Sequence, residues 1–247
     1  MSFVGCVGRD RFGDAALRLW RSEGVESTHV RRSASHTGLG FVIVDRKGAN
    51  AISVDPGANS DLQESDVGRA LAGSSRGSVL LLQLEVPVKT VNAAIRLGSR
   101  RGMVVILNPA PSTTGSPLDL RRVDVLTPNA SEFSTLAGTP DLRRGTRKLL
   151  GKGVGATIVT LGERGAFVRE HGESYLLRPP RVKVVDTTGA GDAFNGALAV
   201  ALAEGSNVRA AVEFANAAGA LTVAKREVIP ALPPRSQVDS LLRKMQD

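Results

Sequence analysis

Short apolar runs alternate along the chain with longer stretches that have the spacing of amphipathic helices. Runs 79–82 and 103–107 are apolar throughout, which is typical of strands covered on both faces of a parallel sheet. The predicted strands are 2–7, 38–45, 50–54, 79–84, 103–107, 123–126, 156–160, 165–169 and 174–177. The predicted helices are 13–23, 62–72, 88–99, 130–137, 141–151, 190–204, 208–224 and 236–245. The alternation predicts a doubly wound α/β fold.

Residues 34–55 depart from that alternation. Two β-rich runs, 41–44 and 51–54, flank a polar stretch that contains a glycine. This pattern predicts a β-hairpin that projects from the main layer. No long linker interrupts the sequence, and 247 residues suit one α/β domain.

The composition indicates how the core is filled and in which compartment the protein resides. Aromatic residues make up only 4% of the chain, so Val, Leu, Ile and Ala must fill the core. The one cysteine, Cys6, excludes an internal disulfide framework and fits a reducing compartment, with a buried structural thiol. The sequence has no secretory signal and no run approaching the roughly 20 apolar residues of a membrane span. We therefore expect a cytoplasmic protein without a membrane partner.

The net charge of +8 and the pI near 10.3 raise the question of a nucleic-acid partner. The arginine pairs are scattered along the chain, whereas a nucleic-acid site needs a basic stripe with stacking aromatics. We therefore expect no nucleic-acid partner. Dispersed positive charge is usually a solvated surface, and it is compatible with a small polyanion such as a nucleotide.

The densest chemical signal is Asp186-Thr-Thr-Gly-Ala-Gly-Asp192, where an apolar strand ends, a glycine turn follows and an apolar helix begins. Unpaired N–H groups in the first turn of a helix, together with the helix dipole, form a site for a phosphate. A carboxylate inside such a site, Asp192, is suited to act as base for a hydroxyl that attacks the phosphate. The alternative is an ordinary helix N-terminal carboxylate, which contributes about 0.3–1 kcal/mol.

This segment, with the Ala-Phe-Asn-Gly that follows it, closely resembles the second signature of the ribokinase (PfkB-type) carbohydrate kinases. The resemblance extends over nearly the whole chain. It implies a three-layer α/β/α ribokinase-like fold in which residues 34–55 form part of a β lid. It also implies that Asp192 is the catalytic base and contacts the substrate, and that the anion hole consists of Gly189, Ala190 and Gly191.

The same resemblance implies where the sugar and Mg²⁺ lie. Glu85, which ends a strand, matches a glutamate that contacts the sugar. Asn129 and Glu132 match the family's N-x-x-E element, in which Glu132 organises hydrated Mg²⁺ and Asn129 touches the phosphates. Helix capping is the alternative role for Asn129.

A further set of residues is implied to bind ATP. The turn between strands at 160–165 resembles the nucleotide-binding turn, although a plain hairpin turn has a similar sequence. Asn216 matches a position that borders the adenine, although a satisfied core polar residue would fit this apolar helix. The full nucleotide-binding set is Asn129, Thr160, Leu161, Gly162, Glu163, Arg164, Gly165, Gly191 and Asn216.

A monovalent cation, usually K⁺, is the last ligand that the resemblance implies. Asp186 and Thr188 help to hold it. The other ligands are partly main-chain groups, from the positions Thr222, Lys225, Glu227 and Ala231. Glu227 replaces a glycine that is usual in this loop. If that position needs a positive φ, glutamate costs energy there.

Family members begin with a strand, a sugar-binding Asp and a Gly-Gly-Lys-Gly-x-Asn element, and this sequence starts after them. We therefore expect a unit of roughly 30 residues or more to be missing. The first hypothesis is ATP-dependent phosphorylation of a primary hydroxyl, with D-ribose to ribose 5-phosphate leading and other sugars or nucleosides open. The second is a truncated, non-catalytic nucleotide-binding protein. The resemblance also allows a homodimer through the lid hairpins.

Overall fold

The computed structural model describes residues 1–44, 50–112 and 117–246. The strands are β1 (Ser2–Val7), β2 (Glu26–Arg32), β3 (Leu39–Val44), β4 (Asn50–Asp55), β5 (Val79–Leu82), β6 (Val104–Leu107), β7 (Val125–Leu126), β8 (Ala156–Thr160), β9 (Ala166–Glu170) and β10 (Glu173–Leu177). The helices are α1 (Arg11–Ser22), α2 (Glu64–Leu71), α3 (Val88–Arg100), α4 (Ala130–Ala137), α5 (Leu142–Gly151), α6 (Ala190–Ala203), α7 (Val208–Val223) and α8 (Arg235–Gln246).

The main sheet has six strands in the order β10-β9-β8-β7-β6-β5. Strands β5 to β8 run parallel, whereas β9 is antiparallel to β8 and β10 is antiparallel to β9. Helices α3, α4 and α5 connect the parallel strands. This arrangement is the α/β pattern that the alternating sequence predicts.

The sheet is covered on both faces because its buried residues alternate in direction. Val105 and Leu107 pack into one cluster with residues of α3, α4 and α5. Ile106, between them, packs into the cluster on the opposite face with residues of α6 and α7, including Phe194 and Leu198. The three layers explain why the central strands are apolar at every position, and they confirm the predicted fold class.

Strands β1 and β2 form a separate parallel pair. The sequence analysis did not predict β2, because Glu26-Ser-Thr-His-Val-Arg-Arg32 is polar at nearly every position. The pair is held to α2 by Arg31, whose guanidinium nitrogen Nε lies 3.2 Å from the buried carboxylate of Asp66. A charge-paired strand of this kind carries no hydrophobic period for sequence analysis to detect.

The predicted hairpin is present. β3 and β4 pair antiparallel, with Leu39 opposite Asp55 and Val44 opposite Asn50. Of the turn predicted at 45–50, residues 45–49 lie outside the described residues, and Asn50 begins β4. At the hairpin base the amide of Ala58 donates to the carbonyl of His36 at 2.8 Å.

Helices α6 and α7 are the most apolar of the chain and pack against each other. Their apolar residues face the sheet on one side and one another on the other, so burial explains their composition. No helix among the described residues is long and apolar enough to cross a membrane.

Candidate functional site

The candidate site lies at the carboxyl edge of the parallel strands. Because β5 to β8 run in the same direction, the segments that follow them meet at one edge of the sheet. Glu85 follows β5, Asn108 follows β6, Asn129 follows β7 and Leu161 follows β8. The fold therefore gathers at one edge several side chains that the sequence analysis selected separately.

Asn129 and Thr160 are neighbours at this edge. They form an isolated parallel bridge, and the Thr160 amide donates to the carbonyl of Pro128 at 3.0 Å. The Asn129 side chain caps α4 by accepting from the amides of Ser131 and Glu132, both at 2.9 Å. The capping role is therefore observed, and it fixes the Asn129 side chain at the sheet edge.

Glu132 completes this cap. Its two carboxylate oxygens accept from the Asn129 amide at 2.8 Å and from the Asn129 side chain at 2.7 Å. Burial raises the pKa of Glu132, and the hydrogen bond from the Asn129 backbone opposes that shift. Within the described residues no three His, Cys, Asp or Glu side chains are grouped as metal ligands. A single carboxylate fits Mg²⁺, which keeps most of its waters and takes substrate oxygens as ligands.

The α6 start is open to a ligand. Gly189 lies in the left-handed region with φ 79°, and α6 begins at Ala190. Among the described residues no acceptor contacts the backbone N–H of Gly191 or of Asp192. A Cβ added at Gly191 would meet no atom within 4 Å. Two unpaired helix N–H groups beside open space have the geometry of an anion site. Of the predicted anion-hole residues, Ala190 donates its N–H to the Thr187 carbonyl at 3.4 Å.

Asp192 is exposed at the mouth of this anion site. Although its surface is accessible, enough of the protein surrounds the carboxyl for desolvation to raise the pKa of Asp192, and no charge partner offsets the effect. A carboxylate that is accessible, unpaired and more basic than usual is suited to accept a proton from a ligand hydroxyl. It is not turned into the protein interior.

The predicted nucleotide turn packs tightly against β10. Gly165 has φ 91°, and a Cβ at this position would lie 2.0 Å from the Leu177 carbonyl oxygen, so only glycine fits. Asn216 donates to the same carbonyl at 3.0 Å. The fold therefore brings Asn216 beside the turn, and it also satisfies this buried amide in the way expected of a core polar residue. Gly162, Glu163 and Arg164 are exposed.

The predicted cation loop is formed by two segments in contact. Asp186 accepts from the amide and the hydroxyl of Thr188 at 2.9 and 2.7 Å, and these bonds lower the pKa of Asp186. The Asp186 amide donates to the Val223 carbonyl at 3.2 Å. A Cβ on Gly189 would lie 2.9 Å from Val228. Residues 186–189 and 223–228 are thus held side by side.

Glu227 in this loop has φ 70°, a conformation that favours glycine. Because position 227 has a positive φ, glutamate costs energy there, as the sequence analysis expected for that case. The Thr222 carbonyl accepts from the Lys225 amide at 3.1 Å, so one expected cation ligand already has a hydrogen bond within the chain. Ala231 is buried, and Lys225 is half-buried.

Glu85 is exposed, and none of the hydrogen bonds among the described residues joins it to the α6 start. One contact near the site, between Thr127 and Asn195, was not predicted from the sequence. The Thr127 hydroxyl donates to the Asn195 side chain at 2.6 Å, and both side chains are buried. These residues are 68 positions apart, so only the fold reveals the contact.

Comparison with known proteins shows the family of this chain. The family model described as pfkB family carbohydrate kinase matches residues 1–235. Ribokinase of Haemophilus influenzae is 33% identical over 243 residues, covering 96% of this chain and 79% of that protein. Deoxyribokinase of Salmonella typhi is 32% identical over 243 residues, with the same two coverages of 96% and 79%.

Among solved structures, Arabidopsis thaliana ribokinase complexed with ribose and ATP matches with a TM-score of 0.88 and 30% identity, covering 98% of this chain and 81% of that one. The family model matches nearly the whole chain, and the related proteins are covered over about four-fifths of their length. The chain therefore belongs to the pfkB family of carbohydrate kinases.

Proposed function

We propose that this chain transfers the terminal phosphoryl group of ATP to a primary hydroxyl of a sugar, with D-ribose to ribose 5-phosphate as the leading reaction. One observation carries the proposal: the exposed Asp192 carboxylate lies beside unpaired helix N–H groups that face open space. A base and an anion site in contact are what a hydroxyl and a phosphoryl group need when they react.

In the proposed reaction the Asp192 carboxylate takes the proton of the sugar hydroxyl as its oxygen attacks the γ-phosphorus. The bond between that phosphorus and the β–γ bridging oxygen breaks, and ADP leaves. The anion hole of Gly189, Ala190 and Gly191 stabilises the charge on the transferring group. The raised pKa of Asp192 favours its role as base.

We infer the remaining sites from the positions of the matching residues at the carboxyl edge. ATP would lie along this edge, with its phosphates near Asn129 and its base between the turn 160–165 and Asn216. Glu132 would hold hydrated Mg²⁺, which would supply charge neutralisation on the phosphates. Asp186, Thr188 and the 222–231 segment would hold K⁺.

The sugar binds at the same edge, with Glu85 as one contact. Ribose is favoured because both H. influenzae ribokinase and the A. thaliana ribose complex are at least 30% identical to this chain. Deoxyribose is the second candidate, because S. typhi deoxyribokinase is 32% identical. The two sugars differ by one hydroxyl, so a binding site that hydrogen-bonds that hydroxyl would discriminate between them.

We propose that residues 1–247 form one cytoplasmic ribokinase-like domain, in which residues 34–55 belong to a lid. We also propose that the chain forms a homodimer through the lid hairpins. Phe41 and Val54 support this part, since they are 56% and 54% exposed. The strand register places them on opposite faces of the hairpin, so a second hairpin could cover either face.

The test is an assay of the purified chain with ATP, Mg²⁺ and K⁺ against D-ribose, 2-deoxy-D-ribose, D-fructose and a nucleoside. Phosphorus NMR of the product locates the phosphate on the sugar. We expect phosphate on the primary hydroxyl, with ribose the best substrate. ATP binding without transfer to any of these acceptors would support the non-catalytic alternative and refute the proposed activity.

A further inference from the structure

A chain of hydrogen bonds, with a buried pair at its centre, connects three elements at the candidate site. The Asn108 side chain donates to the Thr127 carbonyl at 2.8 Å. The Thr127 hydroxyl donates to Asn195 Oδ1 at 2.6 Å, and Asn195 Nδ2 donates to the Gly191 carbonyl at 2.9 Å. The chain runs from the end of β6, through the end of β7, to the first turn of α6.

The direction of each bond in this chain is fixed by chemistry. The Gly191 carbonyl can only accept, so Asn195 must present its amide nitrogen there and its oxygen to Thr127. The Thr127 hydroxyl then has to act as the donor. Thr127 is 1% exposed and Asn195 is 6% exposed, so water has little access to replace either partner.

The bond to Gly191 ends in the first turn of α6, beside the anion site. Within α6 the Gly191 carbonyl lies along the helix axis toward the residue four positions on, so the helix points the Asp192 N–H of the same peptide group toward its open end. The Asn195 side chain adds a second bond to that carbonyl and joins this turn to Thr127 on the neighbouring element. It therefore fixes where the turn lies, and the Asp192 N–H has no acceptor among the described residues.

We propose that Asn195 and Thr127 are positioning residues that hold the α6 start, with its unpaired Gly191 and Asp192 N–H groups, in register with the β7–α4 turn. Thr127 lies two residues before Asn129, which caps α4 together with Glu132. The same buried pair thus fixes the carboxylate and anion hole of α6 relative to the residues proposed to hold ATP and Mg²⁺. This inference rests on the proposed function.

The test uses Thr127→Val, which removes the hydroxyl at nearly constant volume, and Thr127→Ser, which restores it. The control is Thr146→Val, because Thr146 is equally buried but its hydroxyl donates at 2.6 Å only within its own helix, to Leu142. Both valine variants lose a buried hydrogen bond and should unfold at lower temperature. The measurements are kcat and KM for ATP with D-ribose, and the amide NMR shifts of residues 191–193.

We expect Thr127→Val to lower kcat by about 10- to 100-fold, because a displaced α6 start places the Gly191 and Asp192 N–H donors less well for stabilising the transition state. KM for ATP should change less than about threefold, since the other phosphate contacts remain. Thr127→Ser should recover most of the loss, and Thr146→Val should keep the wild-type kcat. The amide shifts at 191–193 should move in Thr127→Val alone.

Equal kcat in Thr127→Val and Thr146→Val would overturn the positioning role. If the wild-type chain transfers no phosphate, the proposed function fails, and the amide shifts then decide the positioning role without turnover. Unchanged shifts at 191–193 in Thr127→Val would refute it.

Discussion

Asp10 and Thr37 are joined by two hydrogen bonds of 2.7 Å, one from the Thr37 amide and one from its hydroxyl. The same carboxylate caps α1 by accepting from the amides of Phe12 at 3.1 Å and Gly13 at 2.9 Å. One side chain therefore ties the start of α1 to the segment that leads into the β3–β4 hairpin. The Asp10 carboxylate is therefore one anchor of the hairpin base.

This anchor predicts an acid dependence of stability. Hydrogen bonds from Gly13 and Thr37 lower the pKa of Asp10 from 3.8 to about 2. Because the folded pKa lies below the unfolded value, the stabilisation is present above about pH 4 and is lost as the pH falls toward 2. Thermal unfolding between pH 2 and 5 should show a shallower acid decline in Asp10→Asn than in wild type. If thermal stability falls equally steeply with pH in the two proteins, Asp10 does not cause the acid dependence.

Glu132→Gln should raise the Mg²⁺ concentration needed for half-maximal activity by about 10- to 100-fold. Glutamine can still accept from the Asn129 backbone amide and so keeps the capping box, but it loses the bond from the Asn129 side chain; α4 should still form while the negative charge is lost. Titration of initial rates with Mg²⁺ at saturating ATP measures the effect. The matched control is Glu213→Gln, an exposed carboxylate on α7. The same Mg²⁺ requirement in both variants would argue against Glu132 as the metal carboxylate.

Glu227→Gly should raise the stability of the folded chain by about 1 kcal/mol. Glycine relieves the strain of the left-handed conformation, and its greater freedom in the unfolded chain offsets part of that gain. His171, the other non-glycine residue with positive φ among the described residues, is the control, with φ 46° in the β9–β10 turn. Both His171→Gly and Glu227→Gly should raise the unfolding midpoint.

Glu227→Gly alone should lower the K⁺ concentration needed for activation, because it relaxes the loop that holds the cation. Initial rates measured against K⁺ concentration in the two variants test this. A similar K⁺ dependence in both variants would show that the backbone strain at Glu227 does not affect cation binding.

The layers of this fold were predictable because strands buried on both faces are apolar at consecutive positions. Val105, Ile106 and Leu107 are consecutive apolar residues, yet they serve opposite faces of the sheet. Strand β2 was missed for the opposite reason. Its residues are held by parallel pairing with β1 and by the Arg31–Asp66 ion pair, and neither leaves a hydrophobic period.

The geometry of the candidate site was predictable where one short segment carries it. The turn and helix start at 186–192 place unpaired N–H groups and the Asp192 carboxylate within seven residues, so a motif suffices to predict this arrangement. Contacts between residues that are distant in the sequence produce no such motif. Nothing in the sequence shows that Thr127 meets Asn195, or that Asn216 and Gly165 share the Leu177 carbonyl. The positive φ of Glu227 was foreseen only as a condition, because backbone conformation at a non-glycine residue is set by the packing around it.

The measurement that bears most directly on Asp192 as the base compares Asp192→Asn with Asp141→Asn. Asp141 is also an exposed carboxylate at a helix start, where it accepts from the Arg144 amide at 2.9 Å, so it reproduces the alternative role of a helix-capping charge. Single-turnover transfer from ATP to D-ribose and the Kd of ATP are measured for both. Asp192→Asn should slow transfer by about 1,000-fold or more with the Kd within about threefold, while Asp141→Asn retains the wild-type rate. Transfer at the wild-type rate in Asp192→Asn would contradict the assignment.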